Sequence, residues 1–350
     1  MLRIGLNFVV SGSSQAVSIG KEDGKKGLKM RKPWVLAAAM LAMSMTIADY
    51  GYASSAHHHG KKHHARAADD GTGPLKVGSA SALVFDEQDA KLLYAKNSTV
   101  TSPIASITKL MTAMVVLDAQ LPMDENIAVE DADVDTLRNS SSRLAVGTVL
   151  SRGEMLRLAL MSSENRAAAA LARTYPGSTP AFVAAMNAKA AALEMKQSHF
   201  VDPTGLHSEN VSTAEDWVKM VKAGAGYDRI REFTTTASHD VEVAGHRRSV
   251  EFRNTNVLVR NKQWDIGLSK TGFINEAGRC LVMQVNIASR SVIIVLLDSF
   301  GKYTRISDAT RIKKWVENNR VSRVARVAAV SPQRPAGLSR SANTDLIALR

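Results

Sequence analysis

The 350-residue sequence predicts an α+β fold: an antiparallel sheet flanked by helices, with a mainly helical second lobe. Two pairs of strands and what lies between them carry that expectation. "SASALVFD" and "KLLYAKN", separated by "EQDA", read as a hairpin that opens the body. "GRCLVMQVNIA" and "SVIIVLLDS", joined through Ser289–Arg290, read as a central antiparallel hairpin near its end. Segments of helical period fill the interval. Strands at both ends with helices inserted between them describe an α+β arrangement, in which the first hairpin rejoins the last strands in one sheet.

Each intervening element has its own local reason. An apolar run from about Ser106 to Ala119 reads as a helix. "SRGEMLRLALM" places Met155, Leu156, Leu158, Ala159 and Met161 at helical spacing. "RAAAALARTY" and "TPAFVAAMNAKAAALEM" are two further helices. "TAEDWVKMVKAG" is another, capped at Ser212 or Thr213 and closed by Gly224. After position 230 the character changes, and "HDVEVAG" and "SVEFRNTN" read as strands. A final helix, "SDATRIKKWVENN", covers the sheet.

The charge locates the boundaries. Residues 1–66 carry a net +7 and residues 320–350 a net +5, so the formal +12 belongs to the tails and the body between them is neutral. A fold that grips nucleic acid carries its basic patch on the folded part, so this pI is no sign of DNA binding. Residues 1–56 read as an N-terminal extension and signal peptide: basic residues through Lys32, an apolar stretch from Trp34 to about Ile47, then small residues at Ser54 and Ala56. Met30, followed by Arg31 and Lys32, is the more natural start of such a signal. The apolar stretch is short for a membrane span, which favours cleavage and export to the periplasm. Residues 57–74 form a linker with five histidines, a tract without the fixed geometry of a metal site. Residues 75–318 form the folded domain, and 319–350 a Ser/Arg/Pro-rich tail expected to be disordered. The single cysteine, Cys280, excludes an internal disulfide.

The chemistry is carried by short motifs that mean little alone. Ser-x-x-Lys occurs at Ser106–Lys109 but also at Ser18–Lys21 and Ser299–Lys302; Ser-x-Asn occurs at Ser163–Asn165 and Ser208–Asn210. Order and context separate them. Ser106 opens a helix, and three residues is nearly one turn, so Ser106 and Lys109 share a face. Ser163 and Asn165 sit in the break between two helices, and Lys270-Thr271-Gly272 lies just ahead of the sheet hairpin. Read singly, Ser106 is open to either reading, Ser163 and Asn165 are more apt as helix caps than as catalysts, and Lys270-Thr271-Gly272 is more often a turn.

Together, in this order, the three motifs resemble the signature of penicillin-binding proteins and serine β-lactamases. "MSSENRAAAALAR", "FVDPTGL", "NVSTAED" and "KTGFINEAGRCLVM" resemble the low-molecular-mass penicillin-binding proteins, the serine D-alanyl-D-alanine peptidases, and among these the D-Ala-D-Ala endopeptidases most. The resemblance implies a DD-peptidase/serine β-lactamase-like fold. It implies that Ser106 is the nucleophile, Lys109 its base and Ser163 a proton relay. Asn165 would hold the substrate amide, Lys270 and Thr271 the D-alanine carboxylate, and Gly272 would let an extended peptide lie against an edge strand. The backbone N–H groups of Ser106 and Phe273 would form the oxyanion hole. Lys109 can act as a base only when neutral part of the time, which burial and a second cation, Lys270, would promote.

The expected activity is hydrolysis of D-alanyl bonds in peptidoglycan, as endopeptidase or carboxypeptidase, without metal or organic cofactor. The expected partners are stem peptides and crosslinks, with β-lactams as covalent inhibitors; the basic tails would favour peripheral association with membrane or wall. A β-lactamase is one alternative, but Glu194 and Glu209 lack the context of a deacylating glutamate. A catalytically silent penicillin-binding sensor is another, opposed by the completeness of the motifs. His207 and His246 lack the setting of a Ser-His-Asp triad, and Asp202 reads as a loop former rather than an acid.

Overall fold

The computed structural model describes residues 74–330 apart from Gly245 and Arg248. The chain divides into residues 1–64 and 65–350, and the described residues all belong to the second unit. The expected signal peptide and most of the expected histidine linker lie outside them.

In chain order the elements are β1 (Ser79–Asp86), β2 (Lys91–Lys96), β3 (Ser102–Pro103), α1 (Lys109–Asp118), β4 (Asn126–Ala128), β5 (Val149–Ser151), α2 (Arg152–Met161), α3 (Asn165–Arg173) and α4 (Ser178–Ala192). Then come β6 (Val211–Ser212), α5 (Ala214–Gly224), α6 (Asp228–Thr235), β7 (Ser238–Val241) and β8 (Val250–Arg253). The chain closes with β9 (Asp265–Ile274), β10 (Gly278–Ile287), β11 (Arg290–Ser299) and α7 (Thr304–Val330).

Five strands form one sheet in the order β2-β1-β11-β10-β9. The β1–β11 pairing is antiparallel, Leu83 opposite Val295, so the first hairpin rejoins the last strands as expected. The long strands are continuous apolar runs because both faces are covered. Val282, Ile293, Val295 and Leu297 face the helical lobe and pack with Leu110, Met114, Leu158 and Trp217. Their alternates Leu281, Met283, Ile294 and Leu296 lie under α7 with Ala309, Ile312 and Val316. Each such side chain contributes about 1.5–3 kcal/mol by leaving water.

Three features differ from the sequence reading. The run beginning at Ser106 is not α-helical from its start; a 3-10 turn, Ala105–Thr108, precedes α1. The last helix runs past residue 319 to Val330, so the expected tail boundary falls inside a helix; no proline or glycine interrupts the chain before Pro332. And β9 is a full ten-residue edge strand, masked in the sequence by Gly267, Lys270 and Gly272, which break apolar alternation.

Asp308 joins α7 to the sheet. Fully buried, it accepts hydrogen bonds from the Gly78 and Ser79 amides (2.9 and 2.8 Å) and the Ser79 hydroxyl (2.7 Å), and pairs with Arg311 at 2.8 Å. Replacing it leaves these donors buried and unmet. Asp308→Ala is therefore expected to cost about 2–4 kcal/mol in urea unfolding, and a loss under 0.5 kcal/mol would contradict this account of the anchor.

Candidate active site

The site begins with a backbone feature. Ala105 has φ +52°, a left-handed conformation unusual for a side-chain-bearing residue, and the chain then tightens into the 3-10 turn that holds Ser106. In a 3-10 turn residues three apart eclipse one another, which aligns Ser106 with Lys109 more closely than an α-helix does. Ser106 makes no cap; the neighbouring Thr108 hydroxyl takes the Ala105 carbonyl (2.8 Å). Lys109 Nζ lies 3.0 Å from Ser106 Oγ.

Lys109 is fully buried, and its nitrogen is held from three sides. Besides Ser106 it meets Asn165 Oδ1 at 2.7 Å and the Thr204 carbonyl at 2.6 Å. Burial pulls its pKa down to about 7, against the opposing pull of the Asp202, Glu164 and Asp135 carboxylates. Lys270 is held well below the ordinary lysine value by burial first, then by the charges of Lys109 and Arg305. Two buried amines this close disfavour each other's charge, so burial and the second cation act in the same direction on the pair.

Ser163 has φ +63°, a second strained backbone position, worth about 1–3 kcal/mol. Glu164 helps to hold it: its amide donates to the Leu158 carbonyl (3.2 Å), and its buried carboxylate accepts from the Ser142 hydroxyl (2.6 Å). Ser163 Oγ meets Lys270 Nζ at 2.9 Å. Asn165 opens α3 without capping it; its amide nitrogen donates to Ser140 Oγ (2.8 Å), which leaves the carbonyl oxygen for Lys109.

Lys270 is 1% exposed and engages Ser163 and the Thr271 carbonyl (2.9 Å), while Thr271 Oγ1 bonds Thr255 Oγ1 (2.6 Å). Gly272 is required by close approach: a Cβ there would stand 2.9 Å from the Ile104 carbonyl oxygen and 3.0 Å from the Ser106 amide nitrogen. The edge strand thus packs directly on the serine turn, a tighter constraint than the substrate clearance first expected of this glycine. Phe273, next along β9, is half exposed.

Several contributors lie outside the residues predicted to carry the chemistry. Asp202 organises the loop behind Lys109, accepting from the Thr204 hydroxyl (2.6 Å) and the amides of Gly205 (2.7 Å) and His207 (2.9 Å), which bears out its reading as a loop former. Gly205, with φ +80°, could not carry a Cβ, which would lie 2.0 Å from the Ala105 carbonyl oxygen. Buried Asn210 ties this loop to the serine turn through Thr108 Oγ1 (3.1 Å) and the Asp202 carbonyl (2.9 Å). Arg305 of α7 donates to the Gly272 and Cys280 carbonyls at 2.9 and 3.1 Å. "DPTG" was a visible turn signal for the loop; nothing local marked Arg305.

The decoys resolve plainly. Ser299 is buried against Ser79 Oγ (2.7 Å), and Lys302 turns instead to Tyr303. His207 is half exposed, 3.8 Å from Glu209, and Glu194 and Glu209 are exposed. Cys280 is buried, its thiol pushed up to about 11. Among the described residues no group of His, Cys, Asp or Glu could hold a metal ion, and no helix is long and apolar enough to cross a membrane.

The chain is similar to known proteins in sequence and in fold. The family described as D-alanyl-D-alanine carboxypeptidase matches residues 66–301. The chain is 50% identical over 253 residues to a D-alanyl-D-alanine endopeptidase of Pseudomonas aeruginosa, covering 72% of this chain and 82% of that one. It is 46% identical, with the same coverage, to a D-alanyl-D-alanine endopeptidase of Escherichia coli. The crystal structure of the Streptomyces K15 DD-transpeptidase superposes with a TM-score of 0.64 at 28% identity, over 69% of this chain and 98% of that chain.

The depressed Lys109 pKa has a signature in stability. Between about 7 and the unfolded lysine value of 10.5, the unfolded chain binds more protons, so stability rises with pH in that window and falls as pH drops towards 7. Lys109→Met is expected to flatten the slope by up to about 1.4 kcal/mol per pH unit in urea unfolding at pH 7, 8 and 9. An unchanged slope would show that Lys109 is charged in the native state.

Proposed function

The chain belongs to the D-alanyl-D-alanine carboxypeptidase family and is a serine-type D-alanyl-D-alanine peptidase, and from that premise we propose that it acts as an endopeptidase on peptidoglycan crosslinks. One observation carries the mechanism: a buried lysine amine of pKa about 7 lies 3.0 Å from the Ser106 hydroxyl. The endopeptidase preference rests on the likeness to the two bacterial endopeptidases.

In this reading Ser106 Oγ attacks the carbonyl carbon of a D-alanine residue while its proton passes to neutral Lys109. Backbone N–H groups of Ser106 and Phe273 receive the oxyanion. The C–N bond breaks as the proton held by Lys109 passes by way of the Ser163 hydroxyl, which Lys270 positions, to the departing nitrogen, leaving Lys109 neutral again. A water then attacks the ester carbonyl as Lys109 takes its proton, and that proton is returned to Ser106 Oγ as the C–O bond to the serine breaks. Asn165 orients both Lys109 and the substrate amide, and Thr271 with Lys270 meets the substrate carboxylate. Arg305 adds positive charge behind that strand.

A β-lactam enters the same path and acylates Ser106, but Glu194 and Glu209 stand exposed and Glu164 is occupied by Ser142, so none of these three is placed to drive fast release. Long-lived inhibition follows, which opposes a β-lactamase. The silent-sensor reading conflicts with the completed Ser106–Lys109 contact. The N-terminal signal pattern supports export to the periplasm, with the basic tails available to anionic surfaces.

The test is a muropeptide digest with signal-free protein. Crosslinked dimers are expected to become monomers, with Ser106→Ala at least about 10⁴-fold slower. Loss of a single alanine from pentapeptides with dimers intact would make the enzyme a carboxypeptidase instead. The rate constant kcat/KM is expected to rise with pH through about 7, as Lys109 loses its proton, and a flat profile from 6 to 8 would remove Lys109 as the base.

A further inference from the structure

The end of the sheet beside the active-site strand presents aromatic side chains that no internal contact explains. Phe300 is 91% exposed and Tyr303 66%, while Phe273 on β9 is 49% exposed. They are neighbours by strand register. Arg279 pairs with Phe273 on one side and with Ser299 on the other, and Phe300 follows Ser299. Two strand spacings, about 10 Å, therefore separate the backbone at Phe273 from that at Phe300.

Cations accompany the rings. The Arg279 guanidinium lies over Phe273 at 4.4 Å, and Lys302 Nζ lies 5.4 Å from the Tyr303 ring centre. Two acids stand near them: Asp298, packed against Gly278, and Glu276 in the turn after β9, which is paired with Arg138. Exposed aromatics of this kind in a soluble fold mark an interaction site. Their chemistry calls for a partner with flat C–H faces and negative charge.

We propose that Phe300, Lys302, Tyr303 and Arg279 form a docking surface for the amino-sugar strand of peptidoglycan, separate from the groove that receives the stem peptide. The proposal rests on the reading that peptidoglycan is the substrate. Sugar rings offer apolar C–H faces to Phe300 and Tyr303, and the carboxylates left on the strand where stems are missing, with those of the stems beside it, complement Lys302 and Arg279. The distance is suitable. A four-residue stem spans at most about 14 Å, so a stem held at Ser106 brings its own sugar strand within reach of the sheet end where Phe273 stands. An enzyme acting on an insoluble network gains from holding the strand while the peptide is cut.

The experiment uses full mature protein carrying Ser106→Ala, so that binding is read without turnover. Pull-down on purified sacculi, and on glycan strands stripped of their peptides, compares Phe300→Ser/Tyr303→Ser with the parent, and Lys302→Ala separately. Binding to both materials is expected to weaken about tenfold in the double variant. In enzyme retaining Ser106, the double variant is expected to cleave soluble crosslinked dimers at the parental rate but sacculi several-fold more slowly. Unchanged sacculus binding overturns the proposal, as does equal slowing on soluble dimers, or binding that vanishes when peptides are stripped. Loss confined to anionic lipid vesicles would assign the surface to a membrane and overturn it too. If the parent cleaves no dimers, the endopeptidase reading falls, while the pull-down still decides the docking surface.

Discussion

The burial of Lys109 is the constraint on which the rest of the site depends. A lysine sealed from water is costly when charged, so its environment must supply either a partner or a neutral state. Here the environment does part of each. Ser106, Asn165 and the Thr204 carbonyl satisfy the amine, while carboxylates stay far enough off that the pKa settles at about 7. A direct salt bridge would have fixed the charge and ended its use as a base.

Keeping that amine in place draws on both lobes. From the helical lobe come α1, which carries Lys109, and α3, which begins at Asn165. From the loop after α4 comes Thr204, held by Asp202, whose carboxylate gathers successive amides into one turn. From the sheet comes β9, pressed so close to the serine turn that residue 272 can only be glycine. Strain at Ala105 and Ser163 is concentrated at these junctions, where surrounding contacts over-determine the backbone. The two lysines divide the labour: Lys109 stands on Ser106 and Lys270 on Ser163, one to each hydroxyl.

Much of this was legible. The apolar runs announced β1, β10 and β11, because a strand covered on both faces must be apolar throughout, and β2 showed as the partner of β1 across a short turn. Thr213 marked the start of α5 through its side-chain cap, and the helix ends at Gly224 as expected. β9 was harder, because the residues that make it catalytically useful, Lys270 and Gly272, are the ones that spoil its strand pattern. The 3-10 geometry at Ser106 was invisible for a related reason. It is imposed by Gly205 and Gly272 packing against the turn, and both are distant in sequence.

By itself, then, the sequence determined which hydroxyls and amines the protein possesses, the order in which they occur, and the α+β framework that carries them. Those follow from local chemistry: side-chain type, apolar period and turn residues. Tertiary structure alone decided which lysine serves which serine, that burial is what chiefly depresses Lys109, and that Asp202, Asn210 and Arg305 support the site. Solvent exclusion and approaches of a few ångströms between residues a hundred positions apart set those properties, and no local pattern encodes them.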